Sequence, residues 1–245
     1  EHLLGGRATL TWSGSIARAS ETRPDERYIE WRARNVAITP DYRDEQNPLF
    51  PEAVAPTDFT FRRIEQLESF TKDADRNARV DLLLPLREGD QATRLKVGAR
   101  FRGKEKLRNN RFNRAEPVSA LGALAINGAQ DFSVSNNLAG NYRYGTFTTP
   151  DYLANLDLFN SALFELEDRP DEYAAGNFDA EERITAGYGM VEQKFGPKVS
   201  MVAGVRVEQT SVDYNGFEYN VDNDNVSPTT GSQSYTDVLP SLNLR

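Results

Sequence analysis

Hydrophobic and polar residues alternate with a period of two in six stretches of the chain, which predicts six β-strands. Successive side chains of a strand point to opposite faces, so each stretch has one apolar face and one polar face. The clearest apolar face consists of Val199, Met201, Ala203, Val205 and Val207. In the predicted strand at 178–195, Ile184, Ala186, Tyr188 and Met190 occupy one face. The pattern predicts an all-β, antiparallel chain whose apolar faces contact either lipid or a protein core.

The connections between these stretches alternate in length. The strands are predicted at roughly 6–19, 59–86, 93–104, 178–195, 198–214 and from 234 onward. Short turns are expected at Arg87–Asp90, where Gly89 can take a positive φ, and at Gly196–Pro197. The long polar connections cover 21–58, 115–177 and 215–233. An up-and-down outer-membrane barrel has this arrangement, with short periplasmic turns and long extracellular loops.

The connection 115–177 contains the only helical pattern that we predict. Leu153, Leu156, Phe159, Leu163 and Leu166 have helix-like spacing within Asp151–Glu167. Pro150 and Asp151 provide a start signal for this helix. We therefore expect one short helix in a loop.

Composition excludes several function classes. The chain has no Cys and a single His, His2, so thiolate metal sites and a Ser-His-Asp triad are not expected. The net charge of −8 argues against nucleic-acid binding. No apolar run approaches the roughly 20 residues that a membrane-spanning helix needs. We expect no enzyme activity, no catalytic residues, no cofactor and no resident metal.

Three phrases near the end of the chain resemble the barrel domain of TonB-dependent outer-membrane receptors. The first runs from Glu182 to Met190 (ERITAGYGM), the second from Gly204 to Thr210 (GVRVEQT), and the third from Tyr235 to Arg245 (YTDVLPSLNLR). They occur in the order that the family shows. The predicted strand at Leu95–Lys104 is similar to an earlier strand of the family.

The resemblance implies a barrel of about 22 strands that is closed by an N-terminal plug. Residues 1–245 would then be one partial barrel domain of about six strands without the plug, and the last predicted strand reaches the final residue. The implied location is the outer membrane, and the implied function is TonB-energised uptake of a scarce siderophore, metal chelate, vitamin or oligosaccharide. The implied partners are outer-membrane lipid, this ligand, and the TonB complex through the missing plug. The alternative is a soluble all-β ligand- or carbohydrate-binding module.

The predicted strand at 93–104 provides the first candidate ligand site. Residues 92–114 contain nine basic residues and one acidic residue. One face of the strand carries Arg94, Lys96, Arg100, Arg102 and Lys104. This basic stripe either pairs with acids of the plug or of neighbouring strands in the lumen, or attracts an anionic ligand such as a ferric chelate.

Aromatic residues in the long loop provide the second candidate site. Tyr142, Tyr144 and Phe147 lie near Gly140 and Gly145. Aromatic residues in loops often anchor ligands, but these residues can equally pack the loop on itself. Outward aromatic residues, namely Trp12, Tyr188 and Tyr219, are candidates for the aromatic girdles of a membrane barrel or for ordinary strand packing.

Two acidic clusters have simpler interpretations. Asp222, Asn223, Asp224 and Asn225 offer oxygen ligands for calcium, but lack the glycine and the distal glutamate of an EF-hand loop, so a solvated turn is favoured. The second cluster consists of Asp168, Asp171 and Glu172. It lacks an evident environment that raises a pKa, so a solvated acidic loop is favoured over the paired carboxylates of glycoside hydrolysis.

Overall fold

The computed structural model describes residues 1–5, 7–35, 43, 59–118, 129–131 and 146–245. An eight-stranded sheet dominates this part of the chain. Its strands are β1 (His2–Leu4), β2 (Ala8–Arg32), β3 (Thr60–Arg87), β4 (Thr93–Pro117), β7 (Phe164–Asp168), β8 (Phe178–Lys194), β9 (Ser200–Asn220) and β10 (Asn225–Leu244). A second sheet pairs β5 (Ala129–Asp131) with β6 (Thr146–Thr148).

The order of strands in the large sheet is β1-β2-β3-β4-β8-β9-β10, and β7 also pairs with β4. The registers of β4 with β8, β8 with β9, and β9 with β10 are antiparallel. Among the described residues β1 and β10 are not paired with each other, so the sheet is open. The prediction of an antiparallel all-β architecture is confirmed. The predicted count of about six strands is wrong, because the large sheet also contains β1 and β7.

Several strands are longer than their alternation predicts. β2 continues to Arg32, β4 to Pro117 and β9 to Asn220, and β10 already begins at Asn225. The predicted long connection 215–233 is therefore a short turn at 221–224. These extensions carry polar residues on both faces, so the periodicity that indicates a half-buried strand is missing although the backbone ladder continues.

Prolines explain part of this error. Pro24 lies inside β2, and Pro228 and Pro240 lie inside β10. Pro24 lies in the predicted connection 21–58 because proline usually interrupts a regular element, but proline is tolerated on a strand whose N–H side lacks a partner strand. In the described part of the chain β2 pairs with β1 only over Ala8–Leu10, and β10 has β9 as its one neighbour.

The helix predicted over Asp151–Glu167 is largely wrong. α1 covers only Pro150–Ala154, where the Thr149 hydroxyl accepts a hydrogen bond from the Tyr152 backbone N–H at 3.2 Å. Phe164–Asp168 forms β7, which pairs with β4. A further helical turn, α2, covers Pro170–Tyr173, and a 3-10 turn follows at Ala174–Gly176. The apolar residues that suggested a helix pack into a core from different elements.

Both predicted hairpin turns are present. Gly89 has a φ of 88° and Gly196 a φ of 77°, which is the left-handed region that glycine adopts without strain. The Ala92 N–H donates to the Gly89 carbonyl at 3.1 Å, and the Gly196 N–H donates to the Asp90 carbonyl at 3.0 Å. These contacts bring the β3–β4 and β8–β9 turns together at one end of the strands.

The described chain divides into two compact units. The first unit contains Glu1–Thr22, Ser69–Asn110 and Tyr173–Arg245, and the second contains Arg23–Glu68 and Arg111–Glu172. The second unit has a core of buried side chains, namely Phe61, Ile64, Ala115, Leu158 and Phe164. Edge-to-face ring contacts join Trp31 to Phe61 and Phe61 to Phe164, with centroids 5.6 and 5.9 Å apart.

The strand registers of the first unit define two faces of its sheet. Residues paired across an antiparallel ladder share a face. Val97, Gly189, Val205 and Pro240 are paired in succession and therefore lie on one face. Phe101, Val207, Val238 and Leu242 lie on the same face by these registers, and together with Val97 and Val205 they are exposed to between 37% and 64%. We call this surface the apolar face and the opposite surface the polar face.

The predicted apolar face of the strand at 178–195 is wrong. Ile184, Ala186, Tyr188 and Met190 are paired with Arg102, Arg100, Gly98 and Lys96, so they lie on the polar face. Gly187, Gly189 and Val191 occupy the apolar face instead. Large side chains alternate with small ones in this strand. The large residues therefore suggest an apolar face, although the strand pairing places them on the polar face. Tyr188 is consequently not an outward residue.

Candidate functional site

The polar face of β4, β8, β9 and β10 brings the predicted basic stripe beside residues that are distant in sequence. Paired positions form three successive rows across the four strands. These rows are Lys96–Met190–Gly204–Ser241, Gly98–Tyr188–Arg206–Leu239 and Arg100–Ala186–Glu208–Asp237. The small residues Gly98, Gly204 and Ala186 lie between the charged ones, which leaves space above the sheet.

Neighbouring strands neutralise part of the basic stripe. Arg102 lies 3.1 Å from an Asp75 carboxylate oxygen, and the Lys104 Nζ lies 3.8 Å from Asp73. Arg94 lies 3.7 Å from Glu192. The acids of these three pairs lie on neighbouring strands, which are one of the two sources named in the first interpretation of the stripe. These pairs are half exposed, so each contributes little to stability.

Lys96 and Arg100 differ from their neighbours on the stripe. Among the described residues neither side chain has an ion-pair or hydrogen-bond partner. Both lie on β4 between residues of the apolar face, since Leu95 and Val97 flank Lys96 while Ala99 and Phe101 flank Arg100. The two cations are therefore placed at the level of the exposed apolar side chains, on the opposite side of the sheet.

Tyr188 forms the centre of a fixed polar cluster on the same face. Its hydroxyl donates a hydrogen bond to Asp81, and Asp81 also contacts the Arg79 Nε at 2.7 Å. The Tyr188 ring covers Gly98, where an added Cβ would lie 2.5 Å from the ring and 2.8 Å from the Val80 carbonyl. Glycine at position 98 is thus required for Tyr188 to approach the strand.

A cleft of about 300 Å³ lies over these rows. Lys96, Arg100, Arg79 and Arg206 contribute its basic side chains, while Tyr188, Met190 and Leu239 contribute larger uncharged ones. Arg206 contacts Glu208 through its Nε. Four cations and three anions, namely Asp81, Glu208 and Asp237, leave this region with a small excess of positive charge. Such an excess attracts anionic ligands.

Arg79, Tyr188 and Arg206 were not among the predicted site residues. Arg79 lies in a run of alternating residues and Arg206 lies in the phrase GVRVEQT. Each therefore had a sequence signal for a polar face. Their convergence with Lys96 and Arg100 depends on strand pairing, which alternation within a single strand does not specify.

The second unit holds its loop segment by charged side chains. The Arg27 guanidinium donates to the Leu153 and Leu156 carbonyls at 3.0 and 2.8 Å, at the end of α1. Burial raises the pKa of Asp25, but hydrogen bonds from Arg27 and Gln66 lower it more, so the net pKa falls below its usual value. The ionised carboxylate therefore helps to hold Arg27 in place.

Asp171 shows the same principle at α2. The Arg169 guanidinium donates two hydrogen bonds to its carboxylate, at 2.9 and 2.6 Å. These bonds lower the pKa of Asp171 below its usual value. A general acid in glycoside hydrolysis needs a raised pKa, whereas the pKa of Asp171 is lowered.

The three aromatic candidates lie wholly or partly outside the described residues. Tyr142 and Tyr144 lie outside the described residues. The backbone of Phe147 pairs with Gln130 in the small sheet, but its side chain lies outside the described part. Their role as ligand anchors stays a prediction.

The turn at 221–224 is held by its own polar groups. The Asp222 N–H donates to the Asn220 side chain at 2.9 Å, and the Tyr219 hydroxyl donates to Asp224 at 2.7 Å. Within the described ranges no group of three or more acidic, His or Cys residues is arranged to hold a metal ion.

The comparisons with known proteins concern the C-terminal part of the chain. The model of the outer membrane protein beta-barrel family matches residues 151–245. This range includes β8, β9 and β10, which carry much of the polar face and of the exposed apolar face. The protein is located in the outer membrane. No curated protein matches the chain.

This match supports an outer-membrane β-barrel, and the open antiparallel sheet is consistent with part of one. Association with the lipid membrane is compatible with the same match. Among the described helices none is both long and apolar enough to cross a membrane. The match supports the predicted location in the outer membrane, but it does not show TonB-dependent transport or identify a ligand.

Proposed function

We propose that this chain is part of the barrel wall of a TonB-dependent receptor that imports a scarce ligand across the outer membrane. The single observation that carries the proposal is the two-faced sheet of the first unit. One face exposes a band of apolar side chains suited to lipid, and the other carries a basic, half-compensated surface suited to a lumen. The phrases ERITAGYGM, GVRVEQT and YTDVLPSLNLR support the assignment to this receptor class.

The strand lengths agree with a receptor that recognises its ligand outside the membrane. β2, β3 and β4 have 25, 28 and 25 residues, whereas crossing a membrane takes about 9–11 residues of a tilted strand. The second unit contains the remainder of these strands together with α1, β7 and α2. In the proposal the long connections between the strands are extracellular, and the β3–β4 and β8–β9 turns are periplasmic.

The alternative, a soluble all-β binding module, requires that the apolar faces close on a common core. The apolar face of the first unit remains exposed, with Val238 at 62% and Leu242 at 64%. A soluble protein rarely exposes a contiguous apolar surface of this extent. This observation favours the membrane barrel over the module. Lumen and loop residues, rather than catalytic groups, supply the proposed function.

Energised uptake by cells tests the proposal. The full-length protein is expressed in a strain that lacks it, and accumulation of radiolabelled ferric citrate, cyanocobalamin and a maltooligosaccharide is measured with and without a protonophore. We expect accumulation of one probe to increase, and the protonophore or loss of TonB to abolish the increase. Increased uptake of all probes that persists without proton-motive force identifies a passive pore and contradicts the proposal. Recovery of the protein in the soluble fraction contradicts it as well.

A further inference from the structure

The cleft on the polar face has the geometry of a three-point anion site. Lys96, Arg100 and Arg206 surround Tyr188 and Met190 in the paired rows. With strands about 4.8 Å apart and about 6.8 Å between alternate residues, Arg206 lies roughly 12 Å from each of the other two cations, between Cα atoms. Lys96 and Arg100 are about 14 Å apart by the same spacing. Long side chains from these three points can converge on one small molecule.

Only part of the positive charge of the cleft is paired with neighbouring carboxylates among the described residues. Lys96 and Arg100 have no partners in the described part of the chain. Glu208 engages Arg206 at Nε, and Asp81 engages Arg79 at Nε. A guanidinium has five N–H donors, so each of these arginines retains donors after its contact. Arginine forks bind carboxylate and phosphate groups through paired hydrogen bonds.

Close packing between neighbouring strands determines the shape of the floor of the cleft. An added Cβ at Gly204 would lie 2.7 Å from the Met190 Cβ. Ser241 follows Gly204 in the same row and also lines the cleft. The volume of about 300 Å³ is at the lower end of the range for small-molecule sites. A compact solute fits this concave space better than an extended polypeptide surface does.

We propose that the cleft binds a small polyanion, a molecule with two or more carboxylate or phosphate groups, at membrane depth on the lumen face. This inference deepens the proposed function, on which it rests for its role: an anionic ligand binds in the cleft on its path through the lumen. The binding itself does not depend on TonB. It can therefore be measured without transport.

Equilibrium binding to the full-length protein in detergent micelles tests the inference. Citrate and inorganic phosphate are titrated calorimetrically into the wild type and into the double variant Lys96→Gln, Arg100→Gln. We expect citrate to bind more tightly than phosphate, and the double variant to weaken citrate binding by about tenfold or more. Higher salt concentration should weaken binding to the wild type, because the interaction is between charges.

The matched control removes two charges from elsewhere in the first unit. Arg183 contacts Glu181, and Arg76 contacts Glu105 at 2.8 Å. Arg183 and Glu105 are paired with Gly103 and Glu181, so they belong to the face opposite to the cleft. The variant Arg76→Gln, Arg183→Gln should retain citrate affinity within about twofold.

A second variant preserves all cations and guards against misfolding. Ser241→Glu places a carboxylate in the cleft, where it competes with the anion, and we expect it to weaken citrate binding as well. The inference is overturned if the wild type binds neither anion, or if the cleft variants bind citrate as the control does. The inference is also overturned if the Lys96→Gln, Arg100→Gln variant keeps its affinity for citrate but melts at a lower temperature than the control variant. That result assigns the two cations to contacts with an acidic protein segment. Citrate binding without energised uptake leaves the site intact and refutes the proposed function.

Discussion

The two units of the chain use apolar side chains in opposite ways. In the second unit Phe61, Ile64, Leu158 and Phe164 are buried against one another. In the first unit, large apolar side chains such as Val205 and Val238 are exposed, and the buried apolar residues among those described are Ala74, Ala174 and Ala186. The second unit therefore resembles a small water-soluble core, whereas the first needs a non-aqueous solvent on one face. Four changes test this difference, from the largest expected effect to the smallest.

Phe164→Ala should have the largest effect, and it should act on the second unit. Phe164 is 2% exposed and its ring contacts Phe61. Removing a buried phenylalanine ring costs about 3–5 kcal/mol, because apolar contacts are lost and a cavity remains. Urea unfolding followed by the fluorescence of Trp31, in a Trp12→Phe background, measures the loss. Phe159→Ala is the control, since Phe159 is 73% exposed. An equal loss in both variants would refute the core.

Val205→Arg should destabilise the first unit by about 2–4 kcal/mol in a lipid bilayer. Val205 lies on the apolar face, so the substitution places a charge in hydrocarbon. Reversible folding into phospholipid vesicles, titrated with urea, gives the free energy. Val202→Arg is the control on the polar face, where Val202 is paired with Glu192 and Asn243. If the control is destabilised more than Val205→Arg, the two faces are assigned the wrong way round.

Gly98→Ala should cost about 1–3 kcal/mol, because the added methyl group overlaps Tyr188, Asp81 and the Val80 carbonyl. Gly187→Ala changes a neighbouring glycine of the apolar face, where the nearest atom, the Gly98 carbonyl oxygen, is 4.0 Å away. Thermal unfolding of both variants in micelles compares them. Equal melting temperatures would mean that Tyr188 does not pack over Gly98.

The smallest expected effect is the pH dependence of the second unit. Hydrogen bonds from Arg169 lower the pKa of Asp171 in the folded chain, so the ionised carboxylate stabilises that state. The stabilisation is complete above the unfolded-state pKa of about 3.9 and is lost as the pH falls through the lower folded value. Trp31 fluorescence during acid unfolding reports it. Asp171→Asn should reduce the stability at neutral pH and weaken the acid dependence, and an unchanged profile would show that the pair contributes nothing.

The sequence predicts the first unit better than the second for a physical reason. Alternation such as that of Leu95, Val97 and Phe101 reflects contrasting environments on the two faces of a strand, and the structure places these residues together. Beyond this region β2 and β4 carry polar residues on both faces and only a few apolar ones, so no sustained periodicity indicates that the strands continue to Arg32 and Pro117. The core of the second unit combines β3 with residues far along the chain, such as Leu158. Its burial depends on long-range pairing and loop packing.

The candidate site shows the same limit. The pattern within β4 identified Lys96 and Arg100 as members of a polar face. It did not show which of the five cations the neighbouring strands would neutralise, because Asp73, Asp75 and Glu192 reach them only through the register. Alternation within the single strand also predicts the wrong face for Tyr188. Gly187 and Gly189 lie on the true apolar face, but glycine gives no apolar signal there.

The side chain of Asn177 has a consequence for how the sheet acquires its alignment. β4 pairs with β8 up to Arg108 and with β7 from Asn113, and the Asn177 amide bonds both backbone groups of Asn110, at 2.6 and 2.8 Å. A slip of β8 by one residue would separate these two asparagines and turn Ile184 and Met190 towards the apolar face. The two hydrogen bonds between Asn177 and Asn110 therefore favour the native alignment of β8 with β4 over an alignment shifted by one residue.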